Sequence, residues 1–143
     1  MTGMQAVLLP VGADAYALPV EWVRQVVAAP PVTPLVTSPS MVLGLFNLRG
    51  EIVPLLDTAA LLGVGTVDAV EFAVVVNTPQ GPAGLATTGT PERVVLETAT
   101  AASELPGTTG AFHVDGRIVV LIDPAVLLGA ERLGGADIQV ASA

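Results

Sequence analysis

Few side chains in this chain could do chemistry, and most lack the partners that chemistry needs. The sequence of 143 residues holds one histidine, His113, and no cysteine. A nucleophilic triad needs a base and an orienting acid beside its hydroxyl, and a zinc site needs three or four ligands. His113 stands beside a turn with neither. Asp57 and Asp123 are the tempting pair of carboxylates for general acid–base work. Each, however, follows a β-branched strand and precedes a short Ala-x-Leu-Leu run ending in glycine. An aspartate there caps a helix by accepting hydrogen bonds from its first backbone N–H groups, which explains both residues without a reaction. Gly63-Val64-Gly65 and Gly134-Gly135 lack the strand-to-helix setting of a phosphate-binding loop. Tyr16 and Trp22 serve either as core or as interface anchors. No catalytic residue, metal or cofactor is expected.

The elements that position these residues are written twice. Residues 44–63 read Gly-Leu-Phe-Asn-Leu-Arg-Gly-Glu-Ile-Val-Pro-Leu-Leu-Asp-Thr-Ala-Ala-Leu-Leu-Gly. Residues 110–129 read Gly-Ala-Phe-His-Val-Asp-Gly-Arg-Ile-Val-Val-Leu-Ile-Asp-Pro-Ala-Val-Leu-Leu-Gly, identical at 11 of 20 positions at an offset of 66. A repeat of about half the chain implies two similar lobes. The unit decodes as a turn at Gly50 or Gly116, an Ile-Val-x-Leu strand, a cap at Asp57 or Asp123, a short helix, and a left-handed stop at Gly63 or Gly129. Pro124 takes the favoured first helical position.

Where the copies differ is equally informative. Arg49 of Leu48-Arg49-Gly50 is matched by Asp115, Glu51 by Arg117, and Asn47 by His113. The scaffold therefore does not require arginine at this turn. Turns host polar residues in general, but Asp-Gly is an ordinary hairpin signal and Arg-Gly is not. Arg49 is free for recognition.

Elsewhere, Met4–Val11 and Ala15–Pro19 read as two strands joined by a tight turn. Residues 20–27 fit a helical turn or a strand. Pro30, Pro31, Pro34 and Pro39 mark a connection that cannot be a central strand. Glu71–Asn77, Gly84–Thr87 and Arg93–Glu97 are strand-like, Thr98–Gly110 reads as a loop, and the tail after Gly134-Gly135 is unassigned. Short strands with brief helices indicate a mainly antiparallel β protein of barrel-like lobes sharing a core. One domain, 1–143, is expected, with lobe one at about 12–66, lobe two at about 67–132, and the first strand packing on the second lobe.

Hydrophobic residues make up 52% and mean hydropathy is +0.72, yet no apolar run nears the ~20 residues that span a bilayer. Such apolarity points to strands buried on both faces, or to surfaces that meet partners. Thirteen acids oppose five arginines for a net charge of −8. That balance opposes binding to nucleic acid or to an anionic membrane. With no basic residue before Arg24 and thus no signal-peptide start, a cytoplasmic location is expected.

Tyr16-Ala17-Leu18-Pro19-Val20-Glu21-Trp22-Val23-Arg24-Gln25-Val26 resembles the opening of CheW-type chemotaxis coupling proteins. The run from Gly44 through Asn47-Leu48-Arg49-Gly50 to Pro54 and Asp57 resembles that family's most characteristic stretch. The resemblance is strong to about residue 63 and looser beyond. It implies two small five-stranded, SH3-like β-barrels and a non-catalytic adaptor. Such adaptors bridge the cytoplasmic tip of methyl-accepting chemoreceptors to the regulatory domain of a CheA-type histidine kinase. The partner-binding residues so implied are Val23, Asn47, Arg49, Gly50 and Glu51, with the second lobe facing the kinase. There is one departure: where the family usually carries Val-Asp after the Gly-Leu strand, this chain has Thr87-Thr88. The alternatives are a divergent scaffold in a pilus or gliding pathway and a small ligand-binding barrel that keeps only the fold.

Overall fold

The computed structural model describes residues 3–34, 41–97 and 99–129. Pro39, Thr98 and Gly134-Gly135 lie outside them. Among the described residues, eleven strands and two short helices follow in the order β1 (Met4–Val11), β2 (Asp14–Pro19), a 3₁₀ turn (Val20–Trp22), β3 (Val23–Ala28), β4 (Val42–Leu48), β5 (Glu51–Leu56), α1 (Thr58–Leu62), β6 (Phe72–Thr78), β7 (Gly81–Thr87), β8 (Glu92–Leu96), β9 (Ala99–Ala101), β10 (Thr108–Val114), β11 (Arg117–Ile122) and α2 (Pro124–Leu127). Residues 20–27 are thus both of the things their pattern allowed, a helical turn running into a strand. The stretch expected as a loop, 98–110, carries β9 and the start of β10. Its small Ala and Thr side chains give no strand periodicity, and β9 is defined by its pairing with the edge of β10.

The strands make two sheets, β3-β6-β7-β5-β4 and β8-β1-β2-β11-β10-β9. Hydrogen bonding therefore divides the chain elsewhere than at residues 66/67. The first sheet is contiguous, whereas the second joins β1 and β2 to strands from β8 onward. The two halves of the repeat exchange hairpins. β6–β7 inserts beside β5 through a parallel pairing (Leu55 with Gly84), and β1–β2 inserts beside β11 through another (Leu121 with Ala17). The expected barrels appear as rolled sheets. Neither order closes into a continuous ladder among the described residues. Instead, the chain beyond the first edge strand touches the far edge. Thr33 and Leu45 exchange two backbone hydrogen bonds of 2.8 and 2.9 Å, and β9 pairs with β10.

The exchange accounts for the apolar composition. β1 turns Val7, Leu9 and Val11 into the main core and Ala6 and Leu8 into a second, alanine-rich one. β2 likewise splits Tyr16 and Leu18 from Ala15 and Ala17. Strands buried on both faces have no polar alternation to offer. Tyr16 is thus a core residue, while Trp22 is half-buried on the 3₁₀ turn.

The helix caps are not equal. Asp57 caps α1, accepting from Ala60 N at 2.9 Å, and α1 ends at Gly63 with φ 73°. Asp123 sits at the N-cap of α2, but its carboxylate accepts no capping hydrogen bond among the described residues. The N–H equivalent to that of Ala60, on Val126, is taken by the Asp123 carbonyl at 3.1 Å. Gly129 is not left-handed either: α2 has four residues and is capped by Leu128 at φ −103°. A tighter, shorter helix stops one residue early and leaves the glycine with no stop to make.

Thr88 ties the end of β7 to the β1–β2 hairpin. Thr88 Oγ1 accepts from Gly12 N at 2.8 Å, in the β1–β2 turn, and Thr88 N donates to Pro10 O at 2.9 Å. The buried Thr87 hydroxyl donates to Gly89 O at 2.7 Å. A hydroxyl acceptor therefore occupies the place of the absent acid. Thr88→Ala should lower stability by about 1 kcal/mol, whereas Thr88→Asp, which keeps an acceptor for Gly12, should lower it by less. Urea unfolding midpoints of the two variants check this.

Candidate functional site

The β4–β5 hairpin has a two-residue loop, Arg49-Gly50, with φ of 54° and 88°. Positive φ at both central residues is the mirror-image turn that matches the twist of paired strands. Its counterpart, Asp115-Gly116, has φ of 51° and 80°. The two turns thus share a backbone and differ in charge. Left-handed backbone suits Gly, Asn and Asp, and costs a longer side chain about 1 kcal/mol. Arg49 is therefore held in a conformation that its own side chain opposes, at an exposed tip, with no ion pair among the described residues.

The other candidates divide between scaffold and surface. Asn47 Oδ1 accepts from Gly50 N at 2.9 Å, so both residues are used to hold the turn. Glu51 Oε1 accepts from Arg24 Nη1 at 3.0 Å, an ion pair with both side chains about two-fifths exposed (39% and 43%). Nothing in the sequence pairs residues 27 apart, and Arg24 carried no signal of its own. Val23 is half-buried and packs on the main core, while its neighbours Arg24 and Val26 are exposed. Ile52, which pairs with Asn47 on β5, is also exposed. Arg49, Val26 and Ile52 are thus exposed on β3 and the β4–β5 hairpin, and the Arg24–Glu51 ion pair is the side-chain contact among the described residues that links these two elements.

His113 is exposed on β10, where it pairs with Ile118. The described residues hold no cluster of three or more His, Cys, Asp or Glu side chains. A cleft of about 290 Å³ lies against β2 and β11, lined by Asp14, Tyr16, Val64, Leu105, Ile118 and Val120. Burial, and secondarily the Asp14 charge, push the Tyr16 hydroxyl above its ordinary range. It stays protonated at neutral pH, and Asp14 is the one charged side chain in the lining. No helix among the described residues is long and apolar enough to cross a membrane.

Three comparisons bear on this arrangement. The model of the CheW-like domain matches residues 5–132. The chemotaxis protein CheW of Rhizobium meliloti (strain 1021) is 34% identical over 62 residues, which are 43% of this chain and 40% of that protein. The match thus spans well under half the length of that relative. The crystal structure of the scaffolding protein TtCheW from Thermoanaerobacter tengcongensis superposes with a TM-score of 0.73 at 20% identity, covering 85% of each chain. That likeness shows the same fold of two sheets. With a family match running from β1 past α2, and with the Asn-Leu-Arg-Gly hairpin at its exposed tip, the chain belongs to the CheW-like domain family.

Proposed function

We propose that the protein is a non-catalytic adaptor in chemosensory signalling. It couples the cytoplasmic tip of a methyl-accepting chemoreceptor to the regulatory domain of a CheA-type histidine kinase, beneath membrane-bound receptor arrays. The observation that carries this reading is Arg49. An arginine occupies a strained, exposed turn where the second copy of the same turn has aspartate. A residue that costs the fold and is dispensable to it is explained by what it touches outside. The exposed Val26 and Ile52 supply apolar area for a helical partner, and the guanidinium pairs with a carboxylate or carbonyl at its edge. The area gives affinity and the charge gives orientation.

The test is Arg49→Asp. The backbone at Asp115 shows that aspartate fits this turn, so the variant should fold with an unchanged midpoint. It should bind a chemoreceptor cytoplasmic fragment about tenfold more weakly, as expected when an attractive charged contact becomes a like-charge juxtaposition. Binding of the kinase regulatory domain, assigned to the second lobe, should change by less than about twofold, since the sites are separate. Receptor binding equal to that of the original protein, or no binding of either partner by the original protein, would overturn the reading.

A further inference from the structure

We propose that Arg24 and Glu51 form a clasp across the seam of the first sheet, fixing the direction in which the hairpin presents Arg49. Arg24 is then a positioning residue and not itself a partner contact. The inference rests on the reading of Arg49 given above.

The topology carries the argument. In hydrogen-bonding order, β3 and β5 are separated by β6 and β7. No ladder joins them, and only the rolling of the sheet brings Arg24 Nη1 within 3.0 Å of Glu51 Oε1. Among the described residues the seam is also tied by the paired backbone bonds between Thr33 and Leu45. That tie holds the middle of β4, while Glu51 stands at the hairpin's tip, immediately after Gly50. Between Leu45 and the turn the hairpin extends beyond its backbone tie; Phe46, Leu48 and Val53 hold it to the main core, and among the described residues the ion pair is the side-chain contact that links its tip to β3. Asn47 fixes the turn internally through Gly50 but does not reach β3.

The repeat strengthens the case. The residue matching Glu51 in the second copy is Arg117, and Arg24–Glu51 is the one ion pair among the described residues. The charged clasp is therefore confined to the lobe whose turn carries arginine. Both partners are substantially exposed, so the pair adds little to stability. Its effect on the direction of the hairpin tip is on the same scale, that of an exposed pair.

Arg24→Gln and Glu51→Gln, made separately, should each weaken binding of the chemoreceptor fragment by about two- to fivefold, the range of an exposed pair, with unfolding midpoints unmoved. The exchanged pair, Arg24→Glu with Glu51→Arg, should restore binding to within about twofold, the residual expected of imperfect geometry. Amide NMR shifts of Arg49 and Gly50 should move in the single variants and return in the exchanged one. These shifts read the clasp in the free protein, whatever binds. Failure of the exchange to restore either readout, or single variants indistinguishable from the original protein, would overturn the clasp. Arg49→Asp separates the two ideas. If it abolishes binding while the single variants do nothing, only the clasp fails. If it leaves binding intact, the assignment of the hairpin to the receptor fails.

Discussion

Asp57→Ala is expected to destabilise the protein by about 3 kcal/mol, and Asp123→Ala by no more than about 0.5 kcal/mol, although the two residues occupy the same column of the repeat. The Asp57 carboxylate is 2% exposed and serves two elements. It caps α1 through Ala60 N at 2.9 Å, and it accepts from Val67 N at 3.0 and 3.2 Å. Val67 lies ten residues on and belongs to the main core, so the carboxylate anchors the chain that returns from α1. Loss of a cap costs about 1 kcal/mol. A buried N–H left without its charged acceptor adds about 2 kcal/mol. Asp57→Asn retains one acceptor and should fall between, at about 1 kcal/mol. Asp123 makes no such bonds among the described residues, because Val126 N is already bonded to the Asp123 carbonyl. Chemical denaturation of the three variants measures the ranking. Hydrogen exchange adds a local signature: the Val67 amide should lose protection in Asp57→Ala before the strands do. Equal losses at positions 57 and 123 would show that neither the Ala60 cap nor the Val67 contact, which only Asp57 makes among the described residues, carries the effect.

That asymmetry shows what could be read from the chain and what could not. The repeat identified the turns, the caps and the β5 and β11 strands, because glycine at positive φ, aspartate before a helix and a β-branched run each leave a local mark. The same marks located Arg49 by its mismatch with Asp115. Pairing partners leave no such mark. The first strand is expected from the sequence on the second lobe, but nothing local says that β2 goes with it to pair with β11. A lobe boundary drawn from the repeat therefore follows the sequence, while the sheets follow the exchanged hairpins. The Arg24–Glu51 contact depends on how far one sheet rolls, which no window along the chain records. Glu51 and Asn47 drew notice beside Arg49, and the structure gives both of them work within the fold. Asp123 and Gly129 were assigned by analogy with Asp57 and Gly63. They depart because α2 winds one residue short.

The largest contrast within the repeat is expected at its first column. Gly44→Ala should cost about 3 kcal/mol, whereas Gly110→Ala should be neutral or stabilising by up to about 0.5 kcal/mol. Both glycines follow a register shift in their strand, between Val42 and Gly44 and between Thr108 and Gly110. A methyl group on Gly44 would stand 2.5 Å from Thr33 O, 2.6 Å from Val32 Cγ1 and 2.9 Å from Thr33 C. Two of those three atoms are backbone, so the segment must move, and it is the segment whose two hydrogen bonds to Leu45 tie the seam. The cost combines the clash with those bonds. On Gly110 the nearest atom to a methyl group is Ala101 O at 3.5 Å, an ordinary contact. Its backbone is not among those with positive φ, so alanine there mainly narrows the unfolded ensemble. For a chain of this size the Gly44 variant should melt about 6–12 °C lower. Hydrogen exchange at the Thr33 and Leu45 amides should rise first, because opening the seam precedes loss of the main core. A Gly44→Ala protein with an unchanged midpoint would mean that the Thr33 crossing yields freely, and that the first sheet holds its roll without it.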